Sequence, residues 1–128
     1  MARTAVHSEA APKAIGPYSQ AIQVDAGRLT FLSGQIPLDP KTGQLVEGDI
    51  VVQARRVMEN LRAVLAAAGL TFDHVVRSTI FLVDMADFQK VNEVYGGCFT
   101  GAPPARVTVQ AAALPKGARV EIDAIAVS

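Results

Sequence analysis

The chain carries one cysteine, Cys98, and two histidines, His7 and His74. A lone cysteine excludes a disulfide framework within the chain and points to a reducing, cytoplasmic setting. The histidines stand in no ligand-like spacing to each other or to Cys98, so no metal is expected. Charge is also lacking: twelve Lys and Arg balance twelve Asp and Glu. Aromatic residues make up only 5% of the chain. Without a cationic surplus or a stripe of basic and aromatic residues, no nucleic-acid partner is expected. No apolar run approaches the roughly 20 residues that span a bilayer. The first eleven residues, with Arg3, His7 and Glu9, lack the apolar core of a signal peptide, so no membrane association is expected. Internal repeats and low-complexity segments are missing too; the alanine triplets at 66–68 and 111–113 are too short to count.

What is present fits one domain over 1–128. Half of the 128 residues are apolar, enough for a real core without staples. Zero net charge is poor for the solubility of a lone monomer and favours an oligomer.

Residues up to about Pro17 read as irregular, broken by Pro12, Gly16 and Pro17. Segments 18–24 and 29–33 read as strands joined by the Asp25-Ala-Gly-Arg turn, a hairpin. Pro37, Pro40 and Gly43 make the next stretch a loop, with Asp39 as a turn residue. Asp49 is placed to cap a helix whose stripe is Val51, Ala54, Val57, Met58, Leu61, Val64, Leu65 and Ala68. Gly69 ends it. Arg55, Arg56 and Arg62 lie off the stripe, on a solvated face. Residues 74–83 read as a buried strand. Asp84 and Asp87 suit the start of a second helix, with Met85, Phe88, Val91, Tyr95 and Phe99 on its apolar face. Cys98 lies there as an inert core thiol.

The last stretch, 104–127, holds two strand-like runs around a Leu-Pro-Lys-Gly turn. Each places one charge among apolar neighbours, Arg106 in the first and Glu121 in the second. A buried lone charge costs several kcal/mol, roughly. The two therefore face water, pair as an interface ion pair, or meet a charged ligand. Arginine's bidentate grip on a carboxylate and glutamate's capacity as a base on water favour the ligand. Their separation in sequence fits a hairpin that sets the two strands side by side.

The resulting order is β-β-α-β-α-β-β. Strand, long helix, strand predicts parallel pairing across the crossover. The fold class is α+β, a two-layer sandwich with both helices on one face of a mixed sheet. The other face is expected to carry Arg106, Thr108 and Gln110, or Glu121, Ile125 and Val127. It is too apolar for open water and suits a subunit interface.

An ordered set of short motifs then resembles one family over nearly the whole chain. It comprises Ile15-Gly-Pro-Tyr-Ser-Gln-Ala, Ser33-Gly-Gln-Ile-Pro, Gln53-Ala-Arg, Asn60-Leu and Ala67-Ala-Gly-Leu. It continues through Asp84, Phe88, Val91-Asn92 and Tyr95, and closes on Pro104-Ala-Arg, Leu114-Pro and Val120-Glu-Ile. The chain resembles the Rid family, reactive-intermediate deaminases of the RidA, YjgF or L-PSP type. The resemblance implies a chorismate-mutase-like subunit in a homotrimer, with clefts between neighbouring subunits. It implies hydrolysis of 2-imino acids and their enamines, such as 2-aminoacrylate, to 2-keto acids and ammonia, with no cofactor. It implies Arg106 as the carboxylate-binding residue and Glu121 as the one that places or activates water. Tyr18, Ser33, Gly34 and Asn92 are implied to line the site.

Two positions depart from the family's commonest pattern. Thr108 stands where many members have cysteine, so thiol chemistry is excluded there, while a hydroxyl remains to bond substrate or water. Asp123 replaces a frequent glutamate. Two other functions compete. One is an endoribonuclease that blocks translation, disfavoured by the neutral charge. The other is a non-catalytic ligand-binding or chaperone-like trimer, disfavoured by the retained Arg106.

Overall fold

A computed structural model describes residues 3–25 and 27–128. The longest helix, α1 (Ile50–Ala67), begins where the Asp49 side chain accepts the Val52 N–H at 3.1 Å. Its inward stripe, Ile50, Ala54, Val57, Met58, Leu61 and Leu65, is buried. Val64, placed on that stripe by its spacing, is instead 40% exposed. Gly69 (φ 76°) lets the chain leave the helix in a conformation that side chains disfavour. A second helix, α2 (Phe88–Gly96), follows a single 3₁₀ turn over Met85–Asp87 that Asp84 caps through the Ala86 N–H. Asp87 stands at the N-cap position of α2 but makes no side-chain cap there, and Met85 is 40% exposed rather than packed.

The strands are β1 (Arg3–Val6), β2 (Ala21–Val24), β3 (Leu29–Gln35), β4 (Val75–Leu82), β5 (Ala105–Gln110) and β6 (Val120–Val127). Both helices share one core with the inward residues of a four-stranded mixed sheet, as the α+β expectation requires. Pairing differs from the sequence reading in four ways. First, the N-terminal segment is not wholly irregular, because β1 forms within it. Second, β2 pairs antiparallel with β1, not with β3, so the 18–33 hairpin does not exist.

Third, the main sheet runs β3-β6-β4-β5. β6 is antiparallel to both neighbours, β3 and β4. The first crossover therefore leaves β3 and β4 parallel yet separated by β6; the second, through α2, pairs β4 and β5 directly in parallel. Fourth, β5 and β6 are not a hairpin, because β4 lies between them. Turn chemistry at Leu114–Gly117 marks a reversal but does not say which strand will be the neighbour. Long-range packing decides that.

Strand register then assigns faces. Arg106 pairs with Ser78, Thr108 with Ile80 and Gln110 with Leu82. Ser78, Ile80 and Leu82 are the buried, helix-facing residues of β4. Arg106, Thr108 and Gln110 thus share the helix side. Glu121 pairs with Phe81 and Asp123 with Thr79, on the opposite side. That far side exposes Leu29, Phe31, Val107 and Val109, with Phe31 69% exposed.

Asn60 on α1 pins the loop after β3, donating to the Ile36 and Leu38 carbonyls at 3.3 and 3.0 Å. Asp39 is the turn residue its context implied, accepting from the Lys41 N–H at 2.8 Å. No helix among the described residues is long and apolar enough to cross a membrane. Asp49→Ala removes a side-chain cap and is expected to lower stability by about 1 kcal/mol. Urea unfolding measures this, and an unchanged midpoint would show that the cap contributes nothing.

Candidate active site

Arg106 leaves β5 toward α2. Its Nη1 donates to Asn92 Oδ1 at 2.9 Å. Three aromatic rings surround the guanidinium: Tyr95 at 5.2 Å, Tyr18 at 5.5 Å and Phe88 at 5.9 Å from Cζ to ring centroid. The chain has only seven aromatic residues, two Tyr and five Phe. Placing three of them around one cation marks a built environment rather than chance packing. The group is half-buried, and burial pushes its pKa below the ordinary arginine value. It remains a cation, and among the described residues no carboxylate pairs with it.

The walls are held from several directions. Ser19 clamps the N-terminal segment to the residues just ahead of Arg106. Its N–H donates to Pro104 O at 3.1 Å, and its hydroxyl donates to Pro103 O at 2.6 Å. The Ile15 N–H donates to Tyr18 Oη at 3.3 Å, closing the turn that presents the Tyr18 ring. Gly16 packs against the same group: a Cβ there would lie in ordinary contact, 3.6 Å from both Arg106 Nη2 and Asn92 Nδ2. Beneath the guanidinium, the Tyr95 hydroxyl bonds to Ser78 Oγ, and both residues are 1% exposed. Burial, the largest influence, pushes the Tyr95 phenol up to about 12.

Ile15, Tyr18, Phe88, Arg106 and Thr108 line a cleft of ≈ 260 Å³. Thr108 Oγ1 is buried there without a hydrogen-bond partner among the described residues. A larger hollow of ≈ 510 Å³ between α1 and α2 has charges of both signs on its rim, Arg55, Glu59, Lys90 and Glu93. The smaller cleft is the better candidate because it alone of the two contains an unpaired, half-buried cation.

A second cluster forms elsewhere. The pairing of β3 with β6 shifts between Leu32 and Gln35, a bulge at Ser33-Gly34. Glu121 lies over that bulge, and a Cβ at Gly34 would overlap its carboxylate. The site residues therefore divide: Tyr18, Asn92, Arg106 and Thr108 in one group; Ser33, Gly34 and Glu121 in another. From strand rise and spacing, the Cα atoms of Arg106 and Glu121 are on the order of 14 Å apart, on opposite faces. Within one chain they are neither an ion pair nor partners at a shared ligand. Asp123 is also outside the Arg106 cleft; its Oδ1 accepts the Thr79 N–H at 2.9 Å, an internal use for the shorter side chain. Asn92 is 9% exposed, and its carbonyl oxygen is engaged by Arg106, so it orients the arginine.

Sequence reading assigned Phe88 and Tyr95 to the helix core and missed their second role as walls around the cation. Their three- and four-residue spacing with Asn92 was the available signal, since it puts all three on one helix face. The pairing of Asp87 with Arg119 was also missed. Arg119 Nη2 donates to both Asp87 carboxylate oxygens, at 2.9 and 2.8 Å, and joins the start of α2 to the start of β6.

The family model for Endoribonuclease L-PSP matches residues 8–128. Protein DfrA of Myxococcus xanthus is 74% identical over 128 residues, covering 100% of this chain and 98% of its own length. The 2-iminobutanoate/2-iminopropanoate deaminase of Mus musculus is 53% identical over 125 residues, 98% of this chain and 91% of that protein. The crystal structure of YyfA from Yersinia pestis, a Rid-family protein of unknown function, matches with a TM-score of 0.76 at 48% identity. It covers 99% of this chain and 100% of that one. The fold is thus that of L-PSP-type proteins, two helices on a mixed sheet. The chain belongs to the Rid family.

Two expectations follow from the geometry. Gly34→Ala should leave the fold intact while driving the Glu121 carboxylate off the bulge, visible in a crystal structure of the variant; an unmoved carboxylate would refute the close approach. The raised Tyr95 pKa predicts an alkaline weakness. A phenol whose pKa is higher folded than unfolded favours unfolding as pH rises from about 10 to about 12. Tyr95→Phe should flatten that part of the stability curve, measured by denaturation across this range.

Proposed function

We propose that this protein is an imine deaminase. It hydrolyses 2-imino acids of the 2-iminobutanoate and 2-iminopropanoate type, together with enamines such as 2-aminoacrylate, to 2-keto acids and ammonia. The observation that carries the proposal is the half-buried Arg106 guanidinium, which has no carboxylate partner among the described residues and is held in orientation by Asn92. Such a group recognises a small planar carboxylate bidentately.

The site is completed between copies of the chain. Arg106 and Glu121 face opposite sides of one sheet, and the far side exposes Leu29, Phe31, Val107 and Val109. A homotrimer in which neighbouring copies supply the Arg106 and Ser33-Gly34-Glu121 groups brings both to one cleft. Arg106 grips the substrate carboxylate. Glu121 takes a proton from water as its oxygen adds to the imine carbon. The resulting carbinolamine collapses as the proton is delivered to nitrogen, giving the keto acid and ammonia. The protonated imine is already electrophilic, so orientation and one proton relay suffice. No step calls on a metal or an organic cofactor. The lone, part-buried Cys98 thiol suits a cytoplasmic protein. A ribonuclease would need a cationic track for the phosphate backbone, and one guanidinium in a small cleft is a poor substitute.

An amino-acid oxidase can generate the imino acid in the presence of semicarbazide, which traps what remains. The wild type should speed conversion to the keto acid. Arg106→Ala should lose at least a hundredfold in kcat/KM, of the order expected when a charge-assisted contact to substrate is removed. Equal turnover by both proteins would sink the assignment. Sharing between copies has its own test. Arg106→Ala and Glu121→Ala chains, unfolded and refolded together, should recover about a quarter of wild-type activity, the chance that a randomly assembled cyclic site keeps both residues. No recovery, from two variants that assemble normally, would place both residues in one chain's site.

A further inference from the structure

A guanidinium–carboxylate pair has two-fold symmetry about its own axis. A planar 2-imino acid held by its carboxylate alone can therefore sit two ways, with the imine nitrogen and the β-carbon exchanged. Only one arrangement presents nitrogen to the group that must protonate it. Something else in the cleft has to tell nitrogen from carbon.

Several polar atoms around Arg106 are already engaged. Asn92 Oδ1 accepts from Arg106, the Tyr95 hydroxyl bonds to Ser78, and Tyr18 Oη accepts from the Ile15 amide. Phe88 and Ile15 add only apolar surface. Thr108, which lines the cleft, is different: its Oγ1 is buried and without a partner among the described residues. It stands two residues from Arg106 on β5, and register puts both on the helix side of the sheet. A buried hydroxyl without a partner is destabilising, and a ligand that satisfies it gains correspondingly. A hydroxyl both donates and accepts, so it suits an imine nitrogen in either protonation state.

We propose that Thr108 is the orientation-determining residue of the cleft, its hydroxyl bonding the substrate's imine nitrogen while Arg106 holds the carboxylate. The inference rests on the imino-acid reading above and adds which residue distinguishes the substrate's two ends. Cysteine at this position would offer only a weak donor and a weak acceptor, so threonine gives this chain a firmer discrimination.

The test uses two stable ring carboxylates of the same shape. Picolinate carries a C=N nitrogen next to its carboxylate-bearing carbon; benzoate carries C–H there. Calorimetric titration of the full-length protein should show picolinate binding about tenfold tighter, the size of one hydrogen bond. Thr108→Val and Thr108→Ala should bind the two ligands equally, with benzoate affinity unchanged. Thr108→Ser should keep the preference, and so should Tyr18→Phe, which removes the other hydroxyl of the cleft. The proposal is overturned if the wild type shows no preference. It is equally overturned if the Val and Ala variants keep it, if they lose affinity for both ligands alike, or if Tyr18→Phe abolishes it. The measurement needs no turnover. A picolinate preference in a protein that fails the oxidase-coupled assay would retire the deaminase reading and leave the Thr108 assignment standing.

Discussion

The Arg106 guanidinium is the constraint around which the rest of this structure is arranged. Half removed from water and with no carboxylate partner among the described residues, it is a charge whose desolvation the protein must offset by other means. Three ring faces and one amide oxygen do so, and they come from two separate requirements of the fold. Tyr18 arrives on the N-terminal segment because Ser19 ties that segment to Pro103 and Pro104. Phe88, Asn92 and Tyr95 arrive together because they share one face of α2. The cation stays compatible with the fold but is not fully neutralised, which is the condition for binding an anion strongly.

β4 supplies the second organising fact. It lies between β5 and β6, and its register with each puts Arg106 and Glu121 on opposite faces, so in the proposed assembly a single chain would contribute to two clefts. The apolar far face of the sheet is consistent with burial against another copy. The Asp87–Arg119 pair ties the start of α2, on the arginine side, to the start of β6, which carries Glu121. In a ring of copies, each chain would act as a spacer whose internal geometry sets the distance between catalytic groups it does not itself bring together.

Local chemistry explains how much of this is legible from residues alone. Asp49, Gly69, Asp84 and Asp39 act within a few positions of themselves, and each does what its type and place imply. Pairing depends on interactions far along the chain. The Asp25–Arg28 turn looks like a hairpin turn, yet β2 finds β1, a strand too short and too polar to stand out in sequence. The Leu114–Gly117 turn looks like another, yet β4 takes the place between its flanking strands. Arg106 and Glu121 could be singled out as charges amid apolar neighbours, but their separation could not, because it follows from strand order. Phe88 and Tyr95 hid their part in the site because an aromatic residue on a helix's inner face already has a sufficient reason to be there.

The Ser78–Tyr95 pair has a consequence for how this cleft can vary. Each hydroxyl is the other's partner in a dry position beneath the cation. Replacing one alone strands a buried polar atom, whereas replacing both with apolar residues of similar shape strands none. The two positions are thus expected to change as a unit among relatives, Ser with Tyr or Ala with Phe. A chain caught halfway between would carry a weakened floor under an intact arginine.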